Sequence, residues 1–279
     1  MPSTINTNMQ SLGAQRALSS TQGSLSTSMQ RLSTGLRINS AKDDSAGLAI
    51  AERMTSQVRG MSVASRNAND AISMAQTAEG ALGKIGESLQ RMRELAVQSS
   101  NSTNSSSDRA NLNQEYQALA SEVTRVIGGT KFNGNNLLNA SATDMAFQVG
   151  ADNTATDSIT VNLSDISTGT GMAKVITGAT ADISTAATAL ATMSNLDLAI
   201  DEVTSARSNL GSVQNRFESV VANLGTMSEN LQAAKGRIVD ADFAVETSNM
   251  SRAQVLQQAG NAMLAQANQA PQQVMSLLR

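Results

Sequence analysis

Three short clusters in this sequence carry side chains that could do chemistry. Asp43 and Asp44 are adjacent carboxylates, a pair that could share a proton or hold a divalent cation. Gly128, Gly129, Thr130 and Lys131 bring glycines, a hydroxyl and an ammonium together, the ingredients of a phosphate-cradling loop. Arg91 and Arg93 stand near Glu87 and Glu94, a run of alternating charge.

Each cluster is incomplete as a reaction centre. No third ligand or histidine follows Asp44 at a useful spacing, and acids are common where helices begin. The order G-x-x-x-x-G-K-[ST] is absent around Gly128, which reads as a turn. Charge runs such as that around Arg91 are usually the solvated face of a helix. The chain of 279 residues also lacks cysteine and histidine, which removes disulfides, thiolate nucleophiles, most zinc sites and imidazole catalysis. No nucleophile–base or metal constellation can be assembled, so neither an enzyme nor a metal or other cofactor is expected.

Composition narrows the architecture. Apolar residues make up 40% of the chain but aromatic ones only 2%, with four Phe, one Tyr and no Trp. Large rings bury the most area per residue, so their scarcity suits narrow helix–helix seams better than a thick core. Net charge is −3 without a dense basic patch, which argues against nucleic acid. The opening MPSTINTNMQSL lacks the features of a cleaved secretory signal, and no apolar run is long enough for membrane insertion. The protein therefore stays in the cytoplasm or leaves by a route without a cleaved signal.

The elements can be read from spacing. Pro2 and Pro271 are the only prolines, so nearly the whole interior is free of the strongest helix breaker. Leu18, Leu25 and Leu32 recur every seven residues, with Ile5 and Leu12, and Met29 and Leu36, at the same interval. Near the other end Leu256, Gly260, Met263, Ala267, Ala270, Val274 and Leu277 alternate steps of four and three. Both are coiled-coil seam patterns. Residues 1–30 carry one charged side chain, Arg16, and residues 253–278 carry none. An exposed helix normally has a charged face, so these ends call for protein on several sides. One helix pair buries a single stripe. Both ends are therefore expected to be disordered in a lone subunit and helical once neighbours cover them.

Between the ends, Ser40 reads as a cap with Asp43 in the first turn of a helix to about Val58. Ile72, Ala75, Ala78, Leu82, Ile85, Leu89, Met92 and Ala96 form a helical stripe, and residues 99–108 a polar loop. Leu112, Tyr116, Leu119, Val123 and Val126 form the next stripe, ending at Gly128–Gly129. The longest stripe covers residues 196–234, roughly 58 Å of helix at ~1.5 Å per residue. Phe147 and Val149, then Ile159, Val161 and Leu163, alternate with polar residues about a turn, the pattern of a β-hairpin. Residues 164–190 are weakly patterned and read as a small exposed connection within a variable stretch at about 140–190. Asn101 and Asn104 begin Asn-x-Ser/Thr sequons that a polar loop produces by chance.

Several of these segments resemble one family, the bacterial flagellins. The matching motifs are RLSTGLRINSAKDDSAGLAIAERM (31–54), LQRMRELAVQSSN (89–101), FNGNNLL (132–138) and the final stretch from Asp242 to Arg279. They cover roughly residues 1–140 and 195–279, in the family's order. The resemblance implies a mainly α protein in two layers. Residues 1–44 and 240–279 would form an inner coiled-coil polymerisation domain. Residues 45–239 would form an elongated helical rod with a small β-hairpin, with little room for an outer domain.

It also implies a structural subunit that self-polymerises into the extracellular flagellar filament used for swimming, with Leu18, Leu25, Leu32, Leu256, Met263, Val274 and Leu277 on the polymerisation seam. Implied partners are further copies of the chain, an export chaperone at the C-terminal segment, and the filament cap and hook–filament junction proteins. Passage would be unfolded, by the flagellar type III apparatus. Arg91, Leu95 and Glu115 match the positions through which flagellins engage Toll-like receptor 5, and Val274, Leu277 and Leu278 match those read by cytosolic sensors. The alternative is a hook–filament junction protein. Those usually carry proline after the paired acids, where this chain has Ser45, Ala46 and Gly47.

Overall fold

The structure, a computed structural model, describes residues 7–163, 165–176 and 181–277, with side chains through residue 269. Its helices are α1 (Met9–Thr34), α2 (Ser45–Ser100), α3 (Ser106–Gly129), α4 (Thr170–Ile176), α5 (Ala186–Val239) and α6 (Phe243–Leu277). The strands are β1 (Lys131–Phe132), β2 (Asn135–Asn136), β3 (Met145–Gln148) and β4 (Ser158–Val161). The expected mainly α class is what the structure contains, with two small strand pairs where one hairpin was expected. The chain divides into two compact units, residues 1–56 with 229–279, and residues 57–228. These bounds give the terminal unit the start of α2 and the end of α5, beyond the 44 and 240 expected.

In residues 57–228 the core follows the helical stripes. On α2, Ala71, Ala75, Ala78, Leu82, Ile85, Leu89, Met92 and Ala96 are buried at steps of three and four. They share one cluster with Tyr116, Ala120, Val123 and Ile127 of α3 and with Leu196, Val203, Leu210 and Phe217 of α5. Alanines on α2 allow close backbone approach, which is how a chain with so few rings still packs. A capping box starts α3: the Ser105 hydroxyl accepts from the Asp108 amide at 3.2 Å, and the Asp108 carboxylate accepts from the Ser105 amide at 3.1 Å.

Two antiparallel hairpins follow. Asn133 and Gly134, at φ 49° and 85°, make the tight two-residue turn between β1 and β2. Strand β3 pairs with β4 from Met145 opposite Val161 to Gln148 opposite Ser158, as the alternation predicted. Ile159 and Val161 point into the core, and the Phe147 ring meets Phe217 edge-on at 5.8 Å and 82°. The hairpin lies against α2: Asn67 Nδ2 donates to the Gln148 carbonyl at 3.0 Å, and a Cβ on Gly60 would come within 2.8 Å of Ala151.

The stretch read as a small exposed connection is instead packed. Met172, Val175 and Ile183 are fully buried. The Glu202 carboxylate of α5 accepts from the Gly171 and Met172 amides at 2.9 and 3.1 Å, at the start of α4. A Cβ on Gly171 would stand 2.4 Å from the Ala199 nitrogen, so only glycine lets α4 lie this close to α5. These contacts join residues far apart in sequence, and a Gly-, Thr- and Ala-rich segment has no periodicity to announce them. Helix α2 also differs from expectation, running unbroken to Ser100 where a stop near Val58 was read. Its cap is Asp44, whose Oδ1 accepts from the Gly47 amide at 2.9 Å.

In the terminal unit α1 (Met9–Thr34) and α6 (Phe243–Leu277) are helical in the single chain and pair antiparallel. The seam supplies the reason. On α1, Ser11, Ala14, Leu18, Thr21, Leu25, Ser28 and Leu32 are buried or half-buried. On α6, Glu246, Met250, Ala253, Gln257, Gly260, Leu264 and Ala267 are likewise covered, at alternating steps of four and three. Below the pair, the Arg37 amide donates to the Val239 carbonyl at 2.7 Å and Ala241 to Gly35 at 2.9 Å. Gly35 closes α1 with φ 72°.

Candidate functional site

The terminal helix pair is sparsely covered, and that is its main surface property. Leu18, Leu25 and Leu32 face α6 but stay half-buried. Leu256 and Met263, expected on the seam, are 53% and 62% exposed and lie on its flank. The spacing 256–260–263–267 joins two neighbouring stripes. Gly260 and Ala267 meet α1, and the inward neighbours of the two large residues are Gln257 and Leu264. The α1–α6 contact thus runs one position beyond Leu256 and Met263, which stay on its outer flank. Helix α6 extends as far as Leu277, but the side chains of Val274 and Leu277, and Leu278, lie outside the described ones.

Ala14, Ala17 and Leu18 of α1 and Leu256, Ala259 and Met263 of α6 line an open groove of about 820 Å³. Met9, Met29, Phe243, Val245 and Val255 add exposed apolar surface on the same two helices. Isolated exposed apolar residues are ordinary, but two helices with few charges and this many are not the surface of a solvated protein.

The seam's polar members were missed. Glu246 is 6% exposed; its Oε1 accepts from Arg31 Nη1 and its Oε2 from Ser28 Oγ, both at 2.9 Å. Burial pushes the Glu246 carboxyl up, yet hydrogen bonds from Arg31, Ser28 and Asn249 and the Arg31 charge hold it below the ordinary glutamate value. Stepping back from Gly260 by two heptads lands on Glu246, so extending the repeat would have found it.

The other charged candidates have structural duties. Asp43 Oδ2 accepts from the Asn39 and Ser40 amides at 3.0 and 2.9 Å, and those bonds lower its pKa. Asp44 caps α2, so both carboxylates of the pair hold backbone amides. Among the described residues no group of three or more acidic or metal-ligating side chains converges. No described helix is long and apolar enough to cross a membrane.

On the unit formed by residues 57–228, Arg91 bonds Glu115 through Nη2 at 2.8 Å and Glu94 through Nη1 at 2.9 Å, all three being exposed. The bonds from Glu94 and Glu115 raise the guanidinium's pKa further. Leu95, one residue beyond Glu94, is 1% exposed and belongs to the core. The structure thus brings Arg91 and Glu115 together at the surface and keeps Leu95 beneath them. Arg93 is paired separately, with Asp197 at 2.6 Å.

Residues 5–143 match the bacterial flagellin N-terminal helical region and residues 193–278 the bacterial flagellin C-terminal helical region. A flagellin of Halalkalibacterium halodurans is 45% identical over 99% of both chains, and one of Xenorhabdus nematophila is 45% identical over the full length of both. The crystal structure of Bacillus cereus flagellin superposes with a TM-score of 0.51 at 32% identity, covering 61% of this chain and 94% of that one. A hook-associated protein from Vibrio parahaemolyticus shares the fold, with a TM-score of 0.59 at 13% identity over 71% of this chain and all of that one. With both family regions in place and whole-chain relatives of nearly its own length, this chain belongs to the bacterial flagellins, the structural subunits of the extracellular flagellar filament.

Proposed function

We propose that this flagellin polymerises by covering the exposed stripe of its α1–α6 pair with the same pair of neighbouring subunits. The observation that carries the reading is the groove whose rim holds Leu256 and Met263, both more than half exposed on helices almost without charge. Each apolar side chain that a neighbour covers contributes about 1–2 kcal/mol. The double variant Leu256→Ser/Met263→Ser is expected to raise the critical concentration for polymerisation by on the order of 100-fold. Sedimentation across a concentration series reads this directly, and an unchanged critical concentration would remove the groove from the interface.

Export fits the same reading. A chain without cysteine or an internal disulfide passes unfolded through a narrow type III conduit without oxidative trapping. An export chaperone holding the apolar C-terminal segment would keep it from premature pairing. Cap and hook–filament junction proteins would meet the growing and basal ends. A role as a junction protein itself would use the same fold, but a junction forms a short ring and does not elongate. The whole-length likeness to flagellins favours the elongating role.

The Arg91–Glu115 face is the proposed contact for Toll-like receptor 5. Ion pairs this exposed add little to stability, so Arg91→Ala should leave the thermal midpoint nearly unchanged. Its signalling in receptor-expressing cells should nonetheless fall markedly. Signalling equal to that of the unaltered chain would refute the assignment.

A further inference from the structure

The apolar part of the α1–α6 seam does not define its own register. Leu18, Leu25 and Leu32 are spaced by seven, and so are Ala253, Gly260 and Ala267 opposite them. In the structure Gly260 lies against Leu18, with Leu18 Cδ1 3.4 Å from where a Cβ would be. Sliding α6 by one heptad would set Gly260 against Leu25 or against Ser11, and in either case leucines would again meet small residues. Packing alone therefore distinguishes the registers weakly, as in any seam built from a repeated pair of residue types.

The buried polar cluster breaks this degeneracy. Ser28 and Glu246 are each 6% exposed, and Arg31 reaches Glu246 from the next turn with its own side chain 28% exposed. A slide one way would set the Glu246 carboxylate beside Leu25, with Thr21 and Ser24 in place of Ser28 and Arg31 and so without a cation to meet it. A slide the other way would carry it past Gly35, the end of α1, and leave Arg31 and Ser28 facing apolar residues. A buried carboxylate without partners is far more costly than a mismatched methyl group. Polar residues at seam positions are a well-attested means of fixing coiled-coil register.

We infer that Ser28, Arg31 and Glu246 are the positioning residues that fix the register of the two terminal helices, and so determine which face the subunit offers to its neighbours. The inference rests on the assembly reading above only for its consequence; the register itself is a property of one chain. Other contacts could hold the register. Asn8 Nδ2 donates to the Ala267 carbonyl at 2.7 Å, and the Leu36–Asp240 bridge with the Arg37–Val239 and Ala241–Gly35 hydrogen bonds joins the bases of the helices. All of these lie at the ends of the pair.

The absence of native cysteine makes the test direct. Gly260→Cys is combined in turn with Leu18→Cys, Ser11→Cys or Leu25→Cys in the full chain, and disulfides within one subunit are read by non-reducing gel and peptide mass spectrometry. In the otherwise native chain only the 18–260 bond should close. With Ser28→Ala, Arg31→Met and Glu246→Leu added, the 11–260 and 25–260 bonds should rise to yields comparable with 18–260. The exchange Arg31→Glu with Glu246→Arg restores a pair and should return the 18–260 bond alone. If the apolar triple variant still closes only 18–260, the helix-end contacts set the register and the inference is overturned. Equal spread over all three bonds in the exchange variant would overturn it too. Sedimentation of the same samples keeps the two readings apart. A chain that closes 18–260 but never polymerises contradicts the assembly reading and leaves the register inference standing.

Discussion

Phe217→Ala is expected to destabilise the unit formed by residues 57–228 by about 3–5 kcal/mol, the usual cost of emptying an aromatic site in a core. Phe217 is fully buried and receives the edge of Phe147 at 5.8 Å, so the change removes both the burial and the ring pair that ties the β3–β4 hairpin to α5. With only four Phe and one Tyr in the chain, few rings are at hand to refill the space. The loss is readable in urea titrations through Tyr116, the sole tyrosine, which is buried with its hydroxyl 3.3 Å from the Val175 carbonyl. A loss below about 1 kcal/mol would mean that the site collapses around the missing ring.

The second large effect concerns Glu246. Removing it by Glu246→Ala leaves Arg31 facing a seam without its carboxylate. Breaking a buried pair costs about 3–5 kcal/mol, and this one should fall at or below the lower end because Arg31 keeps some access to water. The same group gives the pairing a pH dependence of known sign. Its carboxyl is held below the ordinary value in the folded state. The stabilisation is therefore complete above the ordinary glutamate range and is lost as pH falls through the depressed folded value. Amide protection factors over residues 9–34 and 243–269, corrected for the intrinsic exchange rate at each pH, should fall on acidification. In Glu246→Gln that fall should be smaller, since the variant has no proton to take up. Identical acid profiles for the two chains would show that other carboxylates control the pairing.

Much of the fold was legible because helical periodicity is a local signal. The stripes on α2, α3 and α5 came from spacing alone, and the β3–β4 hairpin came from alternation about a polar turn. What was missed came from non-local contact. Met172, Val175 and Ile183 are buried because Glu202 and Asn113 accept hydrogen bonds from the backbone of that segment, and nothing in its own pattern reports those partners. The cap of α2 went to Asp44 over Ser40 because Asp43 is already engaged in holding the preceding turn.

The contact surfaces of the terminal helices were legible in kind, and only the α1–α6 contact within the subunit is shifted in detail. The near absence of charge at both ends marked them as contact surfaces, and the leucines of α1 fell where the heptad put them. On α6 the choice between positions 256 and 257, and between 263 and 264, depends on a partner that one strand of sequence does not display. The buried Glu246 escaped notice because a charged residue is normally read as surface. The Arg91–Glu115 pair was found as two motif positions, and the structure adds that they touch while Leu95 lies beneath.

The measurement that tests the central claim most directly is polymerisation of purified monomer, comparing the full chain with a variant lacking residues 240–279. Sedimentation and negative-stain electron microscopy read the result, and short filament fragments serve as seeds. The account predicts long filaments from the full chain and none from the truncated one, with the Tyr116-reported unfolding of residues 57–228 unchanged between them. Filaments of equal length from both would contradict it, since α1 would then assemble without the partner that completes its seam.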